Sequence, residues 1–256
     1  MTRNQRIDRL IAALPELSDY RLQLVDRIIG VFQSEKNFVR SATSKLITPQ
    51  VLEDFGDVLR LHHSFSREPF SKDKFEYALE RVLLEAKAEA QLAPRGTRGY
   101  DIRIGHERFS LKTEAAKAIK EHTIHISKFM ELGGGQWGDN PEDLIGLRDQ
   151  FLTNLSGIQR ILILRALKKG EPVYKYELVE VPKPVLLKAA NGRLEMRLCS
   201  KQNPKPGYCH VEDSNTLLFS LYFDGGGERK LQIKKLRKDL CTIHGSWEFP
   251  SITDRL

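Results

Sequence analysis

The chain has 256 residues, enough for one large domain or two small ones, and 40% of them are hydrophobic, which allows a substantial core. Its 41 basic and 34 acidic residues give a formal net charge of +7, which favours a polyanionic partner such as nucleic acid. The three cysteines argue against a disulfide scaffold and no apolar run is long enough to cross a bilayer, so we expect a cytoplasmic protein without a membrane partner.

The N-terminal part is predicted to be helical. Apolar residues recur at helical spacing through residues 6–33 with a break near Pro15, so we expect two amphipathic helices that pack in the core or against a second copy. Pro49 opens a further short helix that runs to Leu59. The adjacent His62 and His63 diverge on any regular element, which favours a structural or DNA-facing role over a shared metal ion.

A stronger helix is predicted over residues 75–86, FEYALERVLLEA. Its apolar residues form one stripe at helical spacing: Phe75, Leu79, Val82, Leu83 and Ala86. Glu76 lies beside this stripe. On the residues alone, Glu76 is either a solvated charge on the helix face or an acid that the helix delivers to a site elsewhere.

A β-hairpin follows. Gly105 and His106 stand between two runs that alternate with period two, and glycine at the first turn position suits a two-residue hairpin turn. Closing the turn there pairs Asp101 with Ser110 and places Lys112 on the same face, away from the apolar face. The sequence therefore predicts a carboxylate and an ammonium close together.

This pair has two interpretations. Asp101 could hold a hard divalent cation that activates water and polarises a phosphoryl oxygen, while Lys112 orients that water or stabilises the developing negative charge. This arrangement is what a metal-dependent phosphodiesterase needs. The alternative is a solvated cross-strand ion pair without a catalytic role.

Beyond the hairpin we predict a short helix from Thr113 to His122 and a β-rich run from Thr123 to Ser127. Residues 141–169 have helical periodicity and are interpreted as one helix. After them, strands are expected over residues 174–181 and 194–198, separated by a short helical piece at residues 185–190.

Two basic, polar segments complete the chain. Residues 200–208 form a proline-stiffened loop, and residues 217–223 and 229–235 form a hairpin in which Leu231 and Ile233 face away from the polar side chains. A basic strand face suits a DNA groove or backbone. The candidate DNA-binding residues are Lys201, Gln202, Lys205, Arg229, Lys230, Gln232 and Lys234, with Asp224 and Glu228 as hydrogen-bond acceptors and Lys128 as a further basic candidate.

The hairpin, the short helix and the third β-rich run together resemble the core of the PD-(D/E)xK nuclease superfamily. More narrowly, the chain resembles the SmaI-type restriction endonucleases, which cut at CCCGGG. Five motifs carry this resemblance: LKTEAAK (111–117), IHISKFMELG (124–133), YELVEVPK (176–183), SKQNPKPGY (200–208) and FSLYFDGGGERKLQIKKL (219–236).

The resemblance implies an α/β (α+β) fold with a mixed central sheet flanked by helices. It implies a single endonuclease domain over residues 1–256, with a helical N-terminal part (1–70), a catalytic core (71–135) and a scaffold and DNA-recognition part (136–256). It also implies Mg²⁺-dependent hydrolysis of double-stranded DNA at a short palindrome. Since a palindrome cut in both strands calls for two active sites related by a twofold axis, we expect a homodimer, although a monomer that nicks twice is the alternative.

Two positions depart from the superfamily pattern. Tyr100 stands where the pattern has proline, and Ser110 stands where it has a second acidic ligand. Because a serine cannot replace a carboxylate on Mg²⁺, another acid should complete the site. The candidates are Glu76 and Glu114, and the alternative role of Glu114 is a first-turn anion on the helix expected from Thr113.

Two other functions remain open from the sequence. One is a structure-specific PD-(D/E)xK repair nuclease, which would not need the loop rich in lysine and glutamine. The other is a non-catalytic DNA-binding module that has kept a nuclease shell, for which the missing acid at Ser110 is the main argument.

Overall fold

The computed structural model describes residues 1–94, 96–97, 99–133, 137–169 and 172–251. Its α-helices are α1 (Arg3–Ala13), α2 (Asp19–Gln33), α3 (Pro49–Phe65), α4 (Lys72–Glu85), α5 (Ile145–Ser156) and α6 (Lys183–Leu187). Its strands are β1 (Asn37–Arg40), β2 (Ala90–Leu92), β3 (Ile102–Ile104), β4 (Glu107–Glu114), β5 (Thr123–Glu131), β6 (Arg160–Lys168), β7 (Val173–Val181), β8 (Arg193–Met196), β9 (Gly207–Asp213), β10 (Thr216–Phe223), β11 (Lys230–Arg237) and β12 (Thr242–Pro250).

The strands form two sheets. One has seven strands in the order β1-β12-β7-β6-β4-β3-β2, and the other has five in the order β5-β11-β10-β9-β8. The pair of β4 and β6 is parallel, whereas the neighbouring pairs of β6 with β7 and of β3 with β4 are antiparallel. This mixed sheet flanked by helices confirms the predicted fold class. The division of the chain into three parts stays a prediction.

The core lies on both faces of the seven-stranded sheet. Leu162 and Leu164 of β6 pack with residues of α3 and α4, whereas Ile161 and Ile163 pack with α5 and the five-stranded sheet. Successive strand residues point to opposite faces, so β6 is apolar on both sides because both sides are covered. Strand β4, which carries the candidates Lys112 and Glu114, pairs with this doubly covered strand.

The β3–β4 hairpin forms in the predicted register. Ile102 pairs with Phe109 and Ile104 with Glu107, and Gly105 at the turn has φ of +57°. That φ lies in the left-handed region, which glycine adopts without a Cβ clash. Helix α4 also matches its predicted stripe, because Phe75, Leu79, Val82 and Leu83 are buried.

The helix predicted from Thr113 to His122 is wrong. Strand β4 continues to Glu114, and the residues from 115 to 122 form turns rather than a helix. The guanidinium of Arg165 donates to the carbonyl oxygens of Lys120 and Thr123, both at 2.8 Å. These hydrogen bonds from a distant residue hold the segment between β4 and β5 in a non-helical conformation, which local periodicity does not predict.

The helix predicted over residues 141–169 is also wrong beyond α5. Helix α5 ends at Ser156, and Arg160–Lys168 is the central strand β6. Residues 161–166 are buried without interruption. A strand covered on both faces has a continuous apolar run, which periodicity alone does not separate from a buried helix.

The N-terminal helices form as predicted, with the break at Leu14–Glu16. Helix α2 is attached to α3 because Arg60 donates to the carbonyl oxygens of Val31 and Ser34. Helix α1 has no buried residue, and Leu10 and Ile11 are 56% and 61% exposed. Its apolar stripe is therefore not core, and packing against a second copy stays a prediction.

No helix within the described residues is both long and apolar enough to span a membrane.

His63 has a structural role. It stacks on Tyr174, its Nδ1 lies 3.0 Å from the Ser66 carbonyl oxygen, and its Nε2 lies 2.7 Å from the Tyr176 hydroxyl. A carbonyl can only accept, so Nδ1 carries the proton and Nε2 accepts from tyrosine. Burial lowers the pKa of His63 from its ordinary value to about 4, against a weaker opposing effect of the Ser66 carbonyl.

This pKa predicts a loss of stability in acid. The unfolded chain binds a proton at this imidazole below about pH 6.5 whereas the folded chain does not, so the contribution is complete above that pH and is lost as the pH falls towards 4. At pH 5 the loss is about 2 kcal/mol of unfolding free energy. Urea unfolding at pH 7 and pH 5 should show a smaller pH dependence in His63→Gln than in the wild type. An equal decrease in both proteins would contradict this role.

Candidate active site

Asp101 lies immediately before β3, and its carboxylate is fixed by the neighbouring strand β4. Its Oδ2 accepts a hydrogen bond from the backbone N–H of Leu111 at 2.6 Å and from the Ser110 hydroxyl at 3.1 Å. The predicted pairing of Asp101 with Ser110 therefore brings these side chains together. Ser110 supports the carboxylate of Asp101 rather than adding a second one.

Lys112 completes the predicted pair. Its Nζ lies 3.7 Å from Asp101 Oδ2 and 5.6 Å from the centre of the Phe129 ring, and its side chain is only 12% exposed. Burial lowers the pKa of the Lys112 ammonium, against the attraction of Asp101. The pair is therefore not a solvated cross-strand contact, because the ammonium is held against an aromatic ring and largely removed from water.

Glu76 is connected to the same site by Lys72, a residue that the sequence did not single out. The Nζ of Lys72 lies 2.8 Å from Asp101 Oδ1 and also contacts the carboxylate of Glu76, one turn further along α4. Burial would lower the pKa of Lys72, but the two carboxylates outweigh it and raise that pKa. The available signal was the i, i+4 spacing of Lys72 and Glu76, which places both on one helix face.

The electrostatics of the site favour an ionised Asp101. Burial alone would raise the pKa of its carboxyl, but the charges of Lys112 and Lys72 and the hydrogen bond from Leu111 outweigh burial and lower the pKa. Two ammonium groups thus surround one carboxylate. The site combines an ionised acid with ammonium groups that could contact an anion.

Glu114 lies in a different cluster. It is on the same face of β4 as Ser110 but lies four positions further along the strand, which corresponds to about 13 Å. Its carboxylate forms an ion pair with the fully buried Arg165 and accepts from the backbone N–H of His125 at 2.9 Å. Burial raises the pKa of Glu114 although Arg165 opposes this. The structure does not bring Glu114 to Asp101, and it is not on a helix.

Asp101 lies between two open depressions. One, of about 600 Å³, is lined by Asp101, Ser110 and Lys112 together with the end of β5 and residues of α5. The other, of about 690 Å³, is lined by Asp101, Lys72 and Glu76. A third, of about 340 Å³, joins Lys72 and Lys112 to Lys128 on β5. The acids are therefore accessible from solvent, with lysines on the adjoining surface.

The donor set fits a divalent cation. A single ammonium contacts Asp101 and Glu76, so the two carboxylates lie within reach of one small cation. Among the residues with described positions, no cluster of three or more His, Cys, Asp or Glu side chains is found. Mg²⁺ commonly takes one or two protein carboxylates and fills its remaining positions with water and phosphate oxygens, so two acids are enough.

The candidate DNA-binding residues occupy three positions. Gln202 and Gln232 both contact Asp224, which joins the proline-stiffened loop to the β10–β11 hairpin. Lys234 lies 3.6 Å from the centre of the Tyr222 ring, on the outer face of the five-stranded sheet. Lys201 is exposed in the loop.

The remaining basic candidates lie on β5, at the start of β11 and in the proline-stiffened loop. Lys230 forms an ion pair with Glu228 at 2.9 Å, and Lys128 forms one with Glu131 at 2.8 Å. Two further contacts join the loop and the hairpin to Trp137: its indole N–H donates to the Lys205 carbonyl at 2.7 Å, and the Arg229 guanidinium lies 6.0 Å from its ring. The loop and the hairpin are thus connected through Trp137, and Lys128 lines the depression that also contains Lys72 and Lys112.

The chain is similar to known proteins over most of its length. The model of a family described as SmaI, type II site-specific deoxyribonuclease, matches residues 10–249. The type II restriction enzyme SmaI of Serratia marcescens is 41% identical over 246 residues, which cover 95% of this chain and 97% of that enzyme. No solved structure is a significant match.

Proposed function

Because the chain belongs to the SmaI family of type II site-specific deoxyribonucleases, we propose that it hydrolyses both strands of DNA at CCCGGG with Mg²⁺ bound at Asp101 and Glu76. Its class, a restriction endonuclease acting on DNA, follows from the family. The observation that carries the proposed site is the contact of one ammonium, that of Lys72, with both carboxylates. Asp101 and Glu76 are therefore the two residues that would hold the cation.

The proposed roles follow from the position of each side chain. When bound, Mg²⁺ supplies charge that polarises the phosphoryl oxygens and lowers the pKa of water. Asp101 and Glu76 hold the cation, and Lys72 neutralises their mutual repulsion when no cation is present. Lys112 orients the attacking water or stabilises the charge that develops on the phosphate. The water oxygen forms a bond to phosphorus, and the bond from phosphorus to the leaving oxygen breaks.

The recognition surface supports the proposed target. Each half of CCCGGG offers guanine O6 and N7 acceptors and cytosine N4 donors in the major groove. The loop and hairpin supply amide and ammonium donors, and the lysines beside the cleft suit phosphates. We also propose a homodimer, since the target is palindromic and the apolar stripe of α1 is exposed.

Replacing each candidate acid by glutamine should separate their roles. Glu76→Gln is expected to reduce the cleavage rate by at least ~100-fold, with partial rescue by a higher Mg²⁺ concentration, because it removes a metal ligand but preserves the side-chain shape. Glu114→Gln should retain most of its specific rate but unfold at a lower temperature, because it weakens the buried ion pair with Arg165. Single-turnover cleavage and thermal unfolding of both variants measure these effects. The reverse pattern would assign the metal to Glu114.

The experiment for the proposed function is digestion of a mapped plasmid with Mg²⁺, followed by sequencing of the fragment ends. We expect discrete fragments whose ends fall within CCCGGG, and no fragments in EDTA. A matched plasmid in which each CCCGGG carries one altered base pair should remain uncut. Discrete ends within another sequence would show that the target is not CCCGGG, although the protein would still be a restriction endonuclease. Cutting in EDTA would contradict the metal site.

A further inference from the structure

Asp224, at the end of β10, accepts three hydrogen bonds. Its Oδ1 accepts from Gln202 Nε2 at 3.1 Å and from the Gly226 backbone N–H at 3.0 Å, and its Oδ2 accepts from Gln232 Nε2 at 3.3 Å. Gln202 belongs to the proline-stiffened loop and Gln232 to β11. One carboxylate therefore connects the two segments that carry most of the candidate DNA-binding residues.

The loop and the hairpin turn fit closely around this carboxylate. A Cβ at Gly225 would lie 1.8 Å from the Pro204 carbonyl oxygen, so only glycine allows this approach. On its other side the loop is held by Trp137, which donates to the Lys205 carbonyl. The loop therefore has little freedom to move away from Asp224.

An ionised carboxylate accepts hydrogen bonds and cannot donate them. Both glutamines must therefore turn their amide nitrogen towards Asp224, which fixes the direction of each amide oxygen. For Gln202 this leaves Oε1 buried with no hydrogen-bond partner within the described part of the chain. A buried acceptor without a partner is unfavourable, so the charged contact with Asp224 decides the orientation of the amide.

Amide orientation matters for reading DNA because bases are distinguished by the order of donors and acceptors along their edges. An amide fixed at one end, as in Gln232, presents a defined set of donors and acceptors at the other, whereas an amide free to rotate by half a turn presents either set. The Oε1 of Gln202 is buried and is not presented to DNA, so the contact of Gln202 with Asp224 serves to hold the loop against the hairpin. The fixed orientation also lowers the entropy cost of binding.

We propose that Asp224 is a positioning residue for sequence discrimination: it contacts no base itself, sets the amide orientation of Gln232 and, through Gln202, holds the proline-stiffened loop against the hairpin. This proposal rests on the proposed function, since it assumes that the loop and Gln232 face DNA. The cluster adjoins the catalytic cleft through β5, where the Leu132 N–H donates to the Arg229 carbonyl at 2.7 Å. It does not touch Asp101, so its effect falls on recognition and not on the chemical step.

The test is Asp224→Asn, which keeps the shape and lets the new amide accept or donate. Equilibrium binding is measured by fluorescence anisotropy in EDTA with three kinds of duplex: the sequence that plasmid digestion identifies, its single-base-pair variants and an unrelated sequence. We expect the preference for the cognate duplex over the variants to fall roughly 5- to 100-fold, while affinity for the unrelated duplex stays the same or rises. The matched control is Asp239→Asn, the same loss of charge near the far end of β11, where Asp239 pairs with Arg237. It should leave the preference unchanged.

Two results would overturn the proposal: an unchanged preference in Asp224→Asn, or an equal loss of affinity for all duplexes, which indicates a purely structural role. Gln202→Leu and Gln232→Leu provide a second route if Asp224→Asn does not fold. Full discrimination in both leucine variants also overturns the proposal. Because the cognate duplex is defined by the digestion experiment, failure of the CCCGGG assignment is distinguishable from failure of the role of Asp224.

Discussion

Asp101→Asn is expected to lower the single-turnover cleavage rate by at least about a thousandfold while specific DNA binding remains. The substitution keeps the side-chain shape but removes the charge that two lysines surround and that would hold the cation. Binding should persist, or strengthen slightly, because a negative charge beside the phosphate is lost. Quenched-flow cleavage and binding in EDTA measure the two effects separately.

The control for this variant is Asp213→Asn, which changes an exposed carboxylate at the end of β9 that lines neither depression beside Asp101. It should cleave at close to the wild-type rate. If Asp101→Asn retained more than a tenth of the wild-type rate, the carboxylate of Asp101 would not be a metal ligand.

Lys112→Met should produce a loss of similar size, about a thousandfold, through a different step. Methionine fills the space beside Phe129 but has no charge to orient water or to stabilise the phosphate. If Lys112 acts on the attacking water or on the developing charge, its loss slows the chemical step. Specific binding in EDTA should therefore change much less than cleavage. The same quenched-flow and binding assays apply.

Lys117→Met serves as the control, because Lys117 is an exposed lysine in the turns that follow β4. We expect that variant to cleave normally. A Lys112→Met enzyme that bound DNA weakly but cleaved the bound fraction at the normal rate would make Lys112 a phosphate-binding residue without a catalytic role.

Ser110 stands where the superfamily pattern has an acid, and a nearby helix provides an acid close to this position. The hydroxyl of Ser110 donates to Asp101, and an acid from α4 stands on the other side of the carboxylate, with Lys72 between them. Supply of the second acid by an upstream helix would give the site two carboxylates although residue 110 is a serine. The family assignment also removes the support for a repair nuclease or a non-catalytic module.

The sequence predicted those parts of the site that depend on neighbouring residues. The hairpin around Gly105, the stripe of α4 and the polar face of β11 each follow from local periodicity and turn chemistry. Asp101 and Lys112 were found for this reason, since the register of one turn determines their separation.

The parts that the sequence did not predict depend on distant contacts. Strand β6 was interpreted as a helix because a strand covered on both faces lacks alternation. The environment of Glu114 is set by Arg165, which lies 51 residues away. Lys72 joins Asp101 across 29 residues, and no spacing rule connects them. These contacts exist only once the layers of the fold have packed.

The most direct measurement of the central claim is iron-dependent cleavage of the protein itself. Fe²⁺ bound in place of Mg²⁺, with ascorbate and peroxide, produces hydroxyl radicals that cut the polypeptide beside the metal. The account predicts cuts near residues 76 and 101 that excess Mg²⁺ suppresses and that Asp101→Asn abolishes. Cuts near residue 114 with none near residue 76 would contradict it.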